Sequence, residues 1–255
     1  MERKQAIKTI ERASVSESEW QQRVELAALY RMMARYGYTE GIFQHISLRL
    51  RDEPNHMLVN RFGVYFEEVT AGNLARVTLD GDTSRPEYED LNLASVGIHT
   101  PIYNTRPDVN CIVHTHNEYV QAVGARPEGF IPLDQNGLAV ATQLAYLEFT
   151  ELGDVIDPKK LLGALGNKTI LMMRNHGSLT AVDTVQKAFV YTRNLILVCK
   201  LQVLATSMGP DPQRVRREIE PEYYKELAKQ LPRYFDLYWK AELRALDRID
   251  PSYKH

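Results

Sequence analysis

Apolar positions in the first forty residues return at helical spacing: Trp20, Val24, Ala27 and Tyr30 follow Ser16-Glu17-Ser18-Glu19, which has the spacing of a capping box, and the run stops at Gly37. This predicts an amphipathic helix over roughly 17–36. The period then shortens to two. Ile46, Leu48 and Leu50 alternate with Ser47, Arg49 and Arg51, the pattern of a half-buried strand. Met57-Leu58-Val59 and Arg76-Val77-Thr78-Leu79 are further strand candidates, the second running into the turn dipeptide Asp80-Gly81.

Leu93 to Tyr103 reads as a helix stopped before Arg106-Pro107, and it delivers the chain into a short apolar strand, Asn110-Cys111-Ile112-Val113-His114-Thr115-His116. Asn117 can cap a short helix after it. Asp157-Pro158 and Gly166 bracket another helix over 158–165, and Lys168 to Met173 is a second apolar strand ending in Arg174-Asn175-His176-Gly177, whose glycine permits an unusual backbone angle. Asp183 opens the longest helical stretch, apolar at Ala188, Phe189, Leu195, Val198 and Leu201, ending at Gly209-Pro210. Beyond 210 the chain is charged and aromatic (Tyr223, Tyr224, Leu227, Leu231, Tyr234, Phe235, Tyr238, Trp239), which suggests a helical arm packed on its own domain, with docking on a neighbouring subunit as the alternative. Short strands interspersed with helices predict an α/β sheet covered by helices, without the regular alternation of a Rossmann fold. The expected organisation is a tail over 1–15, one domain over 16–209 and a helical extension over 210–255.

Composition narrows the function. Of 255 residues 44% are apolar and 25% charged, as in ordinary soluble domains, and 31 lysines and arginines against 33 acids leave a net charge of −2. Neither nucleic acid nor a membrane surface is indicated as partner. The first residues lack an apolar signal core, and Cys111 and Cys199 lie in apolar segments as free thiols, so a cytoplasmic protein with a small-molecule substrate is expected.

The candidate chemistry lies in the histidines. On a strand, side chains at i and i+2 share a face, so His114 and His116 can turn toward one ion, and His176 at the end of the second strand can join them. Any one histidine has an ordinary structural reading. Two on one face of an apolar strand are costly to bury without a shared partner, and three neutral imidazoles leave a metal an open position for substrate.

With these residues together, the chain resembles the class II aldolase/adducin family over about residues 20–208. The resemblance is carried by His99-Thr100-Pro101-Ile102-Tyr103, by Arg106-Pro107-Asp108-Val109 leading to Val113-His114-Thr115-His116, by Arg174-Asn175-His176-Gly177 and by the helix that follows. It implies a three-layer α/β/α fold with a central mixed, largely antiparallel sheet, and homo-oligomers, commonly tetramers. It also implies that His114, His116 and His176 bind a divalent metal, zinc first, with iron or manganese as alternatives.

Departures from the family pattern are equally informative. Sugar-phosphate aldolases of the family carry an acid/base glutamate four residues before the counterpart of His99; here that position is Ser95, whose hydroxyl cannot do a carboxylate's work at neutral pH. The catalytic group is therefore unassigned, with Tyr146, Glu87, Glu89, Asp90 and Glu118 as candidates. The phosphate-holding Gly-Asn pair and serines are replaced by Gln44-His45 and Asn92-Leu93-Ala94, which argues against a sugar phosphate. Gln44-His45-Ile46-Ser47, Phe62-Gly63 through Glu68-Val69-Thr70, and Leu79-Asp80-Gly81-Asp82 resemble the adducin head domain instead. Adducin continues into a tail that engages spectrin and actin, and with the sequence ending at His255 a cytoskeletal role is expected to lack its working part.

The expected function is a divalent-metal-dependent carbon–carbon lyase, by retro-aldol cleavage or decarboxylation, acting on a non-phosphorylated oxygenated carbonyl, hydroxy acid or hydroxyaromatic acid. The alternatives are a non-haem iron oxygenase on the same histidines and a non-catalytic, adducin-like assembly module. His45, His99 and Asn175 are the candidate substrate-binding residues, while His56 and His255 read as solvent-exposed.

Overall fold

The Ser16 hydroxyl accepts from the Glu19 N–H at 3.1 Å at the start of α1 (Glu17–Arg35), the bond that the capping-box spacing predicts. The Glu19 carboxylate turns to Arg23 (2.8 Å) and Arg76 (3.1 Å) in a buried ion cluster. The computed structural model describes residues 7–149, 156–215 and 220–255, with residues 220–228 described by backbone alone, so Tyr223, Tyr224 and Leu227 lie outside the described side chains.

Seven strands form one sheet: β1 (His45–Arg49), β2 (His56–Val59), β3 (Ala75–Thr78), β4 (Cys111–Thr115), β5 (Leu144–Leu147), β6 (Ile170–Met173) and β7 (Gly177–Val182). Their order is β3-β2-β1-β4-β7-β6-β5, with every pairing antiparallel except β5 with β6. The sheet is thus mixed and largely antiparallel, as the resemblance implied.

Strand periodicity sorts the sheet into two apolar faces. Ile46, Leu48, Cys111, Val113, Ile170 and Met172 meet one layer, built from α1, α3 (Glu118–Gly124), α4 (Gln135–Gln143), α6 (Val185–Ser207) and α7 (Glu220–Ile249). Ile112, Leu171, Met173, Leu179 and Ala181 meet the other, built from α2 (Leu93–Thr105) and α5 (Pro158–Leu165). With helices on both sides, β1 is buried on both faces and not half-buried: Ser47 is as inaccessible as Ile46. A hydroxyl can be placed there only with hydrogen-bond partners.

Other expectations change in detail. The alternation of β7 is masked by small residues, Gly177-Ser178-Leu179-Thr180-Ala181, and the short runs of α4 and β5 carry no clear period, so none of the three is legible beforehand. The longest helix is α7, of 30 residues, and α6 starts after an N-cap at Thr184 in place of Asp183. Phe235, Trp239 and Leu246 of α7 are buried against α1 and α6, tied by Glu242 to Arg35 at 2.8 Å. At the other end, residues before α1 lie on the body of the protein: the Ile10 N–H donates to the Gly72 carbonyl and Lys8 pairs with Glu89. His56 is half-buried and not exposed, whereas His255 is exposed. By length and composition α6 could cross a membrane, but half of its apolar window is buried within the fold, as in a core helix.

Candidate metal centre

The register between β1 and β4 sets His45 opposite His114 and Ser47 opposite Ile112. Residues directly opposite in a sheet point to one face, so His45, Ser47 and His114 all turn toward α2, where His99 and Tyr103 stand one turn apart. His116 follows the last residue of β4. His176 comes from the tight turn between β6 and β7, which the His176 N–H closes on the Met173 carbonyl (3.1 Å) and which the Gln121 amide grips through the His176 carbonyl (2.8 Å).

The left-handed residue of that turn is Asn175 (φ 57°), not Gly177. Asparagine tolerates that conformation better than most side chains. The glycine answers a different need. A Cβ at Gly177 would stand 2.3 Å from the Thr115 carbonyl oxygen and 2.9 Å from the His116 ring, so the close approach of β7 to β4 requires its absence. Gly177→Ala is expected to destabilise the protein by about 1–3 kcal/mol and to displace His116; urea unfolding and a metal titration on the same preparation check both effects.

Three Nε2 atoms converge. His114 Nε2 and His176 Nε2 lie 2.9 and 3.0 Å from His116 Nε2, and among the described residues these histidines form a group able to hold an ion. The neighbours of the other ring nitrogens fix two of the tautomers. His114 Nδ1 donates to the Ser178 carbonyl at 3.0 Å, and His116 Nδ1 donates to Glu40 Oε2 at 3.0 Å, so both Nε2 lone pairs face inward. Burial, then the neighbouring imidazoles, hold the His114 pKa well below its usual value; burial also lowers that of His116, against the pull of Glu40. Neutral, inward-facing imidazoles are the form that ligates a metal, and the donor set fits a divalent ion.

Glu40 carries no signal in the sequence, because its role depends on a turn. Gln44, buried behind it, closes that turn with its amide nitrogen toward the Tyr38 carbonyl (3.1 Å) and its amide oxygen toward the Glu40 N–H (2.5 Å). Gln44 thus braces the turn that carries Glu40, whose carboxylate orients His116.

Behind the histidine trio runs a buried polar chain: His45 Nδ1 to His99 Nε2 (2.9 Å), His99 Nδ1 to Ser47 Oγ (2.6 Å), Ser47 Oγ to the Tyr103 hydroxyl (2.8 Å), and that hydroxyl to the Asn110 carbonyl (3.3 Å). A carbonyl can only accept, so Tyr103 donates to it, Ser47 donates to Tyr103, and His99 Nδ1–H donates to Ser47. Burial, followed by the nearby imidazoles, keeps His45 and His99 neutral, with pKa values well below the usual range. His99 Nε2 is then the acceptor and His45 Nδ1–H the donor. This leaves the lone pair of His45 on Nε2, which has no hydrogen-bond partner among the described residues.

The trio opens on a cleft of about 470 Å³ whose walls include Glu40, His45, Asn92, Ile98 and Asn175. His45 and Asn175 therefore share the cleft with the trio, whereas His99, fully buried, is one layer behind and supports His45 without reaching it. Ser95 is also fully buried, its hydroxyl donating to the Asn92 carbonyl at 2.6 Å. Tyr146 does not line the cleft: its hydroxyl accepts from the Phe130 N–H at 2.9 Å and Arg174 stacks on its ring. Burial raises its pKa. Glu87, Glu89 and Glu118 are exposed away from the cleft walls, and Asp90 is paired with Arg61 at 2.8 Å.

This arrangement has known relatives. Over 244 residues the chain is 36% identical to a protein of Caulobacter vibrioides named for class 2 aldolases, covering 95% of each chain. It is 36% identical to alpha-adducin of Rattus norvegicus over 197 residues, 74% of this chain and 26% of that much longer protein. Among solved structures, an aldolase II superfamily protein from Pseudomonas syringae superposes with a TM-score of 0.88 at 32% identity, covering 96% of this chain and 99% of the other. The L-fuculose 1-phosphate aldolase of Glaciozyma antarctica PI12 does so with 0.79 at 25%, covering 94% and 93%. A family profile described as Class II Aldolase and Adducin N-terminal domain matches residues 24–203, which span the strands, the histidine trio and the helices on both faces of the sheet; the chain belongs to that family.

Proposed function

We propose that the protein is a divalent-metal-dependent lyase that breaks a carbon–carbon bond, by retro-aldol cleavage or decarboxylation, in a non-phosphorylated oxygenated carbonyl or hydroxy acid. The observation that carries this reading is the convergence of three Nε2 atoms at one end of the cleft, two of them with tautomers fixed from behind. His114, His116 and His176 would hold the ion, with zinc the first candidate and iron or manganese the others. A divalent ion there supplies Lewis-acid polarisation of a carbonyl or carboxylate oxygen.

The protein's own groups supply the rest. His45 Nε2 accepts the proton or hydrogen bond of a substrate hydroxyl, and the chain through His99, Ser47 and Tyr103 keeps that lone pair in place. Asn175 offers an amide in the same cleft. Glu40 holds the His116 ring so that its lone pair stays directed inward. Sugar phosphates are disfavoured because Gln44, His45 and Ala94 stand at the positions where phosphate-binding relatives carry donors. A homo-oligomer is part of the proposal, and sedimentation reads its mass.

Metal analysis of protein purified without chelator, followed by assays of hydroxy acids and hydroxyketones with zinc, manganese and ferrous iron, tests the proposal. Turnover in none of them with metal bound would favour the non-catalytic reading, to which the buried Ser95 and the likeness to alpha-adducin lend weight. Glu40→Ala is expected to weaken zinc binding about 10- to 100-fold, read by competition with a chromophoric chelator, while leaving the melting temperature of the metal-free protein unchanged because Glu40 is exposed.

A further inference from the structure

Phe43, Phe62 and Phe149 are respectively 58%, 42% and 54% exposed, and all three line the cleft onto which the histidine trio opens. Contiguous phenylalanine surface left in water marks a place that receives something apolar. The wall is built and anchored. Phe43 and Phe62 pack with ring centroids 6.0 Å apart; the Phe43 carbonyl accepts from Asn92 Nδ2 at 3.0 Å, and the Phe62 N–H donates to the Asp90 carbonyl at 2.8 Å. The cleft volume suits a molecule of one ring with small substituents.

The polar groups of the cleft point the same way. No lysine or arginine is among its described lining residues. The Asn92 amide is engaged at both ends, by the Phe43 carbonyl and the Ala94 N–H. What remains besides the trio is the Asn175 amide and two acceptors, the Glu40 carboxylate and the His45 Nε2 lone pair. An anionic tail would meet the Glu40 carboxylate and, among the described lining residues, no lysine or arginine, whereas a hydroxyl would meet acceptors.

We infer that the cleft selects a substrate with an aromatic body, a hydroxyl directed at His45 and no anionic tail beyond the group that faces the metal. This rests on the metal-centre reading above. The test uses the whole protein loaded with cobalt(II) and three probes with the same chelating head: acetohydroxamate, benzohydroxamate and phosphonoacetohydroxamate.

Benzohydroxamate is expected to bind about tenfold or more tighter than acetohydroxamate, the gain from burying one ring, and phosphonoacetohydroxamate no tighter than acetohydroxamate. The double variant Phe43→Ala/Phe62→Ala, at exposed positions that do not threaten the fold, should bring the benzohydroxamate advantage close to one while cobalt content and acetohydroxamate affinity stay unchanged.

An advantage near one in the cobalt-loaded wild type overturns the inference. So does an advantage that survives the double variant, or tighter binding of the phosphonate. A change in assembly mass in the double variant with no change in probe preference assigns the phenylalanines to a subunit face, and also overturns it. Metal content separates the two levels: wild-type protein that takes up no cobalt overturns the metal centre itself, whereas cobalt-loaded protein with no aromatic preference overturns only the substrate class.

Discussion

His176→Ala is expected to lower divalent-metal affinity by about 100-fold or more, since loss of an outer hydrogen-bonding partner alone costs about 10- to 100-fold and this change removes a ligand. The fold should be indifferent to it. His176 is half-buried on a turn whose backbone is held independently by the Met173 carbonyl and the Gln121 amide, so the metal-free variant should melt with the wild type. His114→Ala should abolish binding equally but is a less clean test. Its ring is buried, and its loss leaves the Ser178 carbonyl without its imidazole donor, at a cost of about 1–3 kcal/mol in stability. Metal content by mass spectrometry and zinc titration, beside thermal melts in chelator, separate binding from folding. Full metal occupancy in His176→Ala would remove the assignment of the trio.

The metal-free protein is expected to be acid-labile in a narrow window below pH 6.5. His45, His99 and His114 are buried and neutral, each with a folded-state pKa well below its unfolded value near 6.5, chiefly through burial. Below pH 6.5 the unfolded chain therefore binds more protons than the native protein, and stability rises with pH. The stability these groups contribute is fully present above pH 6.5 and is lost as the pH falls toward their folded values. Each group contributes a slope of about 1.4 kcal/mol per pH unit, so three approach about 4 kcal/mol per unit. The metal-free protein should therefore lose stability steadily as the pH falls below 6.5. Urea midpoints between pH 8 and 5 read the slope; a flat profile would show that the three rings are not held neutral. Saturating zinc should flatten the upper part of the curve, because ligation stabilises only the native state.

These outcomes bear on Ser95. Ser95 has its hydroxyl buried against the Asn92 carbonyl, and among the described lining residues the groups besides the trio that could accept a proton in the cleft are His45 and Glu40. Gln44 braces the Glu40 turn, and His45 ends the buried chain that runs through Tyr103.

Much of this was legible in advance. The helices over 17–36, 93–103 and 158–165, the strands of β1, β2, β3, β4 and β6, and the pairing of His114 with His116 follow from period, caps and turn residues. The elements that escaped, α4, β5 and β7, are short or built of small residues whose burial comes from neighbours on both faces. Tyr146 shows the same limit for chemistry. A sequence candidate for proton transfer, it lies beneath Arg174 and against the Phe130 N–H through contacts across 16 and 28 residues of sequence, which no local pattern encodes.

By itself the sequence determined which residue types could gather a metal, because spacing on a strand decides which side chains share a face; that phosphate-holding and carboxylate groups are missing is what the family resemblance implies. Only the tertiary structure decided what those residues do. Tautomers, the direction of the chain from Asn110 to His45, the reach of Glu40 and the exposed phenylalanine wall all arise where β1 meets β4, where α2 crosses them, and where two separate turns end at one cleft. Hydrogen-bond direction and desolvation are set by neighbours distant in sequence, and they exist only once the sheet has brought those neighbours together.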